Sequence, residues 1–276
     1  MIKLIKGDFF RLRKDKTFWL MFVLMFAVGT VLPVAHYLDS IHSKIAWALD
    51  FSFFIYSFLA PIVLSVLTSL FVGSDYSNGT LRNKIISGHS RGSIYLSNLI
   101  VCTAAGIILC IAYAVPHLSL GFLLNGRFGS SVNTILMYAG LSLAMTTAVE
   151  AILVLIAMLC SNKAHTAAGC ILTVFVLLFL GIYITSALNE PEFLPAYTYI
   201  ENGVTVEEPE TRNPNYVGGK KREVYEFLQD FTSGGQMLQI ADMEVEKPSF
   251  LALYDGIILI LVTGCGLVFF RRRDLK

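Results

Sequence analysis

Six apolar stretches, each long enough to cross a bilayer, constrain this chain more than any other feature. A span needs about 20 predominantly apolar residues, at about 1.5 Å rise each, to traverse a hydrocarbon core of roughly 30 Å. Thr17 to Tyr37, Phe51 to Val72, Ile94 to Leu118, Ile135 to Cys160, Thr166 to Leu188 and Phe250 to Phe270 meet that requirement. Composition agrees: 55% of the residues are hydrophobic and 15% charged, where a soluble domain carries roughly 25% charged residues. The expected fold class is all-α, a polytopic membrane protein with six transmembrane helices forming one transmembrane domain over residues 1–276. Segment 189–249 would be an outer insertion rather than an independent domain.

The basic residues orient the spans. With six spans both termini share a side, and that side collects Lys3, Lys6, Arg11, Arg13, Lys14, Lys16, Arg82, Lys84, Arg91, Lys163, Arg271, Arg272, Arg273 and Lys276, 14 of the 21 Lys plus Arg. The short outer loops hold only Lys44 and Arg127, and Asn189 to Ser249 carries 12 acids against 5 bases. Both termini are therefore expected in the cytosol, and the protein in the cell (plasma) membrane. The first span is long, lacks a small-residue cleavage pattern and is followed by five more, so it is expected to stay as an anchor.

Before it, Ile2, Ile5, Phe9 and Leu12 recur at helical spacing while Lys3, Lys6 and Arg13 project elsewhere, the pattern of an interfacial amphipathic helix. Between the second and third spans lies Gly73 to Ser93, the longest polar interruption on the cytosolic side. It has room for one short helix, with Thr80 to Ser87 as its body and Gly88 as its stop signal. Asn78-Gly79 reads as a turn, and Ser90 suits an N-cap of the third span, with Arg91 at the lipid headgroups. In the outer insertion, Val224, Phe227, Leu228 and Phe231 form one apolar stripe and Gly234 is a plausible terminator, so a helix is expected inside a mostly irregular cap. That cap could cover an exit pathway or merely pack on the outer ends of the spans.

Several motifs point away from catalysis. Gly88-His89-Ser90-Arg91-Gly92 matches G-x-S-x-G, yet a nucleophile elbow needs a strand before it and a hydrolase domain around it, which a loop of this size lacks. No phosphate-binding Gly-x-x-x-x-Gly-Lys-Ser/Thr loop occurs. There is no His-Glu-x-x-His or Cys-x-x-Cys pattern, and the five histidines are scattered over both sides of the membrane, so no metal or cofactor is expected. Cys102, Cys110, Cys160, Cys170 and Cys265 lie within or at the ends of spans and imply no disulfide framework.

Glu150 falls about ten residues from the cytosolic end of the fourth span, roughly 15 Å in. An ionisable group there faces protein or water by default, so a conducting or proton-linked role is one reading. The other is a neutral or hydrogen-bonded glutamate at a helix interface, helped by Thr146, on a span whose Gly140, Ala144, Ala148 and Ala151 offer a small-residue packing face. Asp255, near the outer start of the sixth span, reads as solvated.

Asp75, Gly79-Thr80, Ile86-Ser87-Gly88 and Ser90-Arg91, together with the ending Phe269-Phe270-Arg271-Arg272-Arg273-Asp274-Leu275-Lys276, resemble the permease subunits of type 2 ABC exporters. The resemblance implies a non-enzymatic membrane subunit that pairs with a second permease copy or a paralogue. Two copies of an ABC ATP-binding subunit, expected as separate polypeptides, would drive it; no nucleic acid is involved. It also implies that the loop is a coupling helix, with Thr80, Leu81, Lys84, Ile85 and the turn at Gly88 contacting the ATPase. Asp75 and Arg91 would orient the loop ends, and the N-terminal helix would be a second contact. Export is implied by the family pattern alone. A secondary transporter or channel using Glu150, and a non-transporting membrane sensor or scaffold, are the alternative functions.

Overall fold

The computed structural model describes residues 1–44, 48–201 and 204–273. Its six long apolar helices are α2 (Lys16–Ser43), α4 (Tyr56–Ser77), α6 (Arg91–Leu124), α7 (Val132–Leu159), α8 (Lys163–Asn189) and α11 (Pro248–Arg272). The protein is an all-α polytopic membrane protein. α2, α6, α8 and α11 run beyond both ends of their apolar stretches, and polar side chains cap the starts of α2, α6, α7 and α8. Asp15 accepts from Thr17 N at 2.7 Å and Phe18 N at 3.1 Å, which starts α2 immediately after the preceding helix α1 (Ile2–Lys14). Ser90, Ser131 and Asn162 cap α6, α7 and α8 in the same way. The second apolar stretch is divided: α3 (Asp50–Phe53) is a separate turn, and continuous helix starts only at Tyr56.

Packing has an inside and an outside. α4 lies against α7 and α8, α6 against α2 and α7, and α11 along α7. α4, α6 and α7 are mostly buried, whereas α2, α8 and α11 expose long apolar faces. Such faces are expected where the solvent is lipid. Small residues permit close approach: a Cβ on Gly29 of α2 would run into the Tyr113 carbonyl of α6. An aromatic cluster closes one end of the bundle around α3. Phe53 and Phe54 meet edge to face, Tyr113 donates to Ser52 O at 2.6 Å, and His117 lies 3.2 Å from Ser52 Oγ.

The termini-bearing end of the bundle is basic and the other end acidic. At the basic end, the short helix α5 (Thr80–Ile86) sits between α4 and α6, beside α1. At the acidic end, the segment after α8 begins with β1 (Phe193–Leu194), β2 (Tyr197–Glu201), β3 (Val204–Glu208) and β4 (Thr211–Arg212). β2 pairs with β3 antiparallel from Tyr197↔Glu208 to Glu201↔Val204, and β1 with β4 through Phe193↔Arg212.

α9 (Gly219–Phe231) then descends beside α8: Arg222 reaches Leu188 O at 3.3 Å and Gln229 reaches Thr185 Oγ1 at 3.0 Å. Gly234 does not terminate the ordered segment, as its sequence context suggested. It lies in the first turn of a second helix, α10 (Ser233–Ala241), where the absent side chain lets the backbone press against Leu177 and Gly181 of α8. α10 is buried along most of its length and wedges among α4, α7 and α8, with Ser57 donating to Met237 O at 3.2 Å. The acidic segment is thus a helical hairpin seated in the mouth of the bundle, with a strand-paired arm beside it.

Candidate functional site

Two left-handed glycines shape the polar loop at the basic end. Gly79 (φ 66°) turns the chain out of α4 into α5, and Gly88 (φ 83°) turns it toward α6. A side chain is strained at such φ values, so both positions favour glycine. The loop folds back on its flanking helices, and this places four charged side chains together.

Lys84 of α5 stands between two carboxylates, its Nζ 2.7 Å from Asp8 Oδ1 and 2.9 Å from Asp75 Oδ2. Arg11 of α1 forms an ion pair with Asp75 and lies 3.9 Å from Asp8. The second oxygen of Asp8 accepts a hydrogen bond from Ser97 of α6 at 2.6 Å, and the Arg11 guanidinium stacks 3.9 Å over the Phe71 ring of α4. Asp75 is 0% exposed and Asp8 2%. Two acids and two bases cancel, which is the condition for burying them at all. Burial lowers the Lys84 pKa, with the neighbouring Arg11 charge adding to the effect and the Asp8 contact opposing it. Burial also lowers the Arg11 pKa against the opposing attraction of Asp8. The network ties α1, α4, α5 and α6 into one body.

This arrangement decides which way the residues of α5 face. Leu81 is buried at 3% exposure, Lys84 is held in the network, and Ile85 packs against the core, so these three face the protein's own helices. Thr80, at the first position of α5, is half-buried. The outward face carries Arg82, Asn83, Ser87 and Ile86, the last 73% exposed. Between α1 and α5 lies a cavity of about 330 Å3, with Lys3, Leu4, Asn83, Ser87 and His89 on its walls.

Asp8, Arg11 and Ser97 were not among the site residues that the sequence suggested. One signal was present for Asp8, since Leu4, Asp8 and Leu12 repeat every four residues on one helix face. That trio is the buried stripe of α1; Ile2, assigned to the apolar face by its spacing, is 72% exposed.

Arg91 belongs to a second network. Its Nη1 donates to Arg271 O at 3.1 Å and Phe270 O at 3.5 Å, and also to Arg273 O, so it caps the carbonyl end of α11. Arg273 in turn donates to Met158 O at 2.7 Å, at the carbonyl end of α7, and to the Tyr76 hydroxyl at 3.0 Å. Cations suit these positions because helix C-termini carry unsatisfied carbonyls and negative partial charge. Asp75 and Tyr76, adjacent in sequence, therefore anchor different networks.

Glu150 is 0% exposed, and its carboxyl oxygens accept from Thr68 Oγ1 of α4 at 2.9 and 3.0 Å. The helper is not Thr146, whose hydroxyl turns to its own helix and donates to Ser142 O at 2.7 Å. Asp255 is not solvated, as its place near the start of the sixth span suggested; it is 2% exposed. It lies two turns inside α11, where α9 packs over the helix and the Phe227 and Phe231 rings meet Tyr254 edge to face. All five cysteines are free, and among the described residues no cluster of His, Cys, Asp and Glu could hold a metal ion.

The family described as ABC-2 family transporter protein matches residues 4–181, a region running from α1 through most of α8 and containing the whole four-charge network. No curated protein matches the chain.

Proposed function

This chain belongs to the ABC-2 family of transporter proteins, and we propose on that premise that it is the membrane subunit of an ATP-driven exporter. It carries the translocation pathway, and separate ATP-binding subunits act on it through α5. The observation that carries this reading is the buried Asp8, Arg11, Asp75 and Lys84 network. A push on an isolated surface helix would be lost in its flexible ends. A push on α5 reaches α1, α4 and α6 together, because separating them would strand buried charges.

Within that reading, α5 meets the ATPase through Arg82, Asn83 and Ile86. Thr80 and Gly88 shape its ends, and Leu81, Lys84 and Ile85 fasten it to the permease. Asp75 acts as part of that fastening, while Arg91 fixes α6 to α11. The basic end lies in the cytosol with both termini, the protein resides in the cell membrane, and residues 1–276 act as one permease unit. That unit pairs with a second copy or a paralogue, with two ATPase subunits below. α10, wedged in the outer mouth, gates release of the cargo.

Co-purification with the cognate ATPase tests the contact. Ile86→Asp should reduce association about tenfold or more, as loss of an interface anchor does, while leaving thermal stability unchanged. Alanine at Leu81 and Ile85 should lower stability first. Undiminished association in Ile86→Asp and Arg82→Glu would refute the assignment. Single cysteines at Ser87 and Asn215 read orientation: an impermeant maleimide applied to intact cells should label Asn215→Cys and spare Ser87→Cys.

A further inference from the structure

At the basic end, between the start of α6 and the end of α11, lies a cavity of about 370 Å3 lined by Ser90, Arg91, Gly92, Leu267 and Arg271. We propose that it binds the phosphodiester headgroup of an anionic phospholipid, with Arg91 and Arg271 on the phosphate and Leu267 beneath the glycerol. The proposal rests on the reading that this end of the bundle lies at a lipid headgroup layer.

Four observations converge on that ligand. The two arginines stand on different helices and border one space, and among the described residues neither lies within ion-pair distance of a carboxylate. Arg91 directs Nη1 to the carbonyl end of α11, which fixes its guanidinium at the rim of the cavity. Gly92 leaves the cavity open, since a Cβ there would come only within ordinary contact, 3.6 Å, of Leu267 Cδ2. Leu267 precedes Arg271 by one helical turn on α11, so the apolar part of the lining lies on the membrane side of the arginines. Guanidinium forks match phosphate oxygens in pairs, and basic pockets between membrane helices suit anionic headgroups. A free phosphate would use the same arginines and have no need of the apolar floor.

Native mass spectrometry of the purified, delipidated full chain tests the proposal, with phosphatidylglycerol, phosphatidylcholine and inorganic phosphate as probes. The wild-type protein should hold phosphatidylglycerol in preference to phosphatidylcholine. Arg271→Gln, which removes one cation at the headgroup level, should weaken phosphatidylglycerol binding about fivefold. Gly92→Leu keeps both charges and fills the cavity, and should weaken binding at least as much; Gly92→Ala is the milder version should the leucine variant fail to fold. Arg272→Gln removes an equal charge that does not line the cavity, and should leave binding unchanged.

Equal losses in Arg271→Gln and Arg272→Gln would overturn the site in favour of diffuse attraction. Inorganic phosphate competing as well as the lipid would overturn the lipid assignment. So would an Arg271→Gln protein that keeps its lipid and loses its ATPase, because the cavity would then hold an acidic segment of that partner. Delipidated protein in detergent has no sidedness and needs no ATPase, so the lipid and phosphate outcomes are independent of the orientation and coupling experiments.

Discussion

Asp75 has no exposed surface and two cationic partners, which makes it the residue where the four-charge network is most sensitive. Removing one member of a buried ion pair costs about 3–5 kcal/mol, much of it from the charge left behind. Asp75→Asn should therefore lower the melting temperature of the purified protein clearly. Adding Lys84→Met should recover part of the loss, because the second change removes one of the stranded cations. A strictly additive pair of losses in that double-mutant cycle would mean the two residues are not coupled.

Glu150 differs from Asp75 because it faces a hydroxyl and not a cation. Glutamine at 150 can still accept from Thr68, so Glu150→Gln should retain both stability and transport; loss of transport in a stable Glu150→Gln protein would restore the ion-coupled reading. Sequence alone made Glu150 conspicuous by its depth in an apolar span. It could not reveal Thr68, 82 residues earlier, because the rotational register of two helices is set by packing along their whole length. Asp8 was obscured for the opposite reason. It sits among basic residues on a short surface helix, where an acid ordinarily reads as solvated.

Element by element, the spans and α5 were legible because their signals are local. Apolar length marks a span, and Asn78-Gly79 and Gly88 bracket α5 with turn chemistry that needs no tertiary context. Which face of α5 looks outward was not legible. Leu81 and Ile85 are apolar and four residues apart, a pattern that suits a partner's groove as well as the protein's own core. The contacts with α1 and α4 decide it. α10 was not anticipated because Gly234 looks like a helix stop, whereas Gly234 and Gly235 permit close contact between backbones. A Cβ at Gly234 would run into the Leu177 carbonyl. Gly234→Ala should cost about 1–3 kcal/mol through overpacking and loosen α10 from its seat. The measurement is hydrogen exchange over residues 233–241: faster exchange there, with α7 unchanged, is expected, and unaltered protection would mean that α10 does not need the glycine contact.

At the scale of the whole molecule, the two networks divide the basic end into linked bodies. Asp75 joins α4 to α1 and α5, while Tyr76 and Arg273 join α4 to α7 and α11. Because these residues are neighbours at the end of one helix, a displacement of α5 is passed to α11 only if the second junction holds. Arg273→Gln shortens the reach to Met158 O and removes the charge that suits the carbonyl end of α7. In that variant, spin labels at Ser161 and Arg272 should give a broadened distance distribution, while labels at Lys6 and Ser87 should keep a narrow one, since the four-charge network is untouched. Transport should fall with ATPase association retained, because the lever would still be gripped while part of what it moves had come loose. A narrow distribution at Ser161 and Arg272 in Arg273→Gln would mean that helix packing alone, through Tyr95 against Gly266 and Phe270, holds α11 in place.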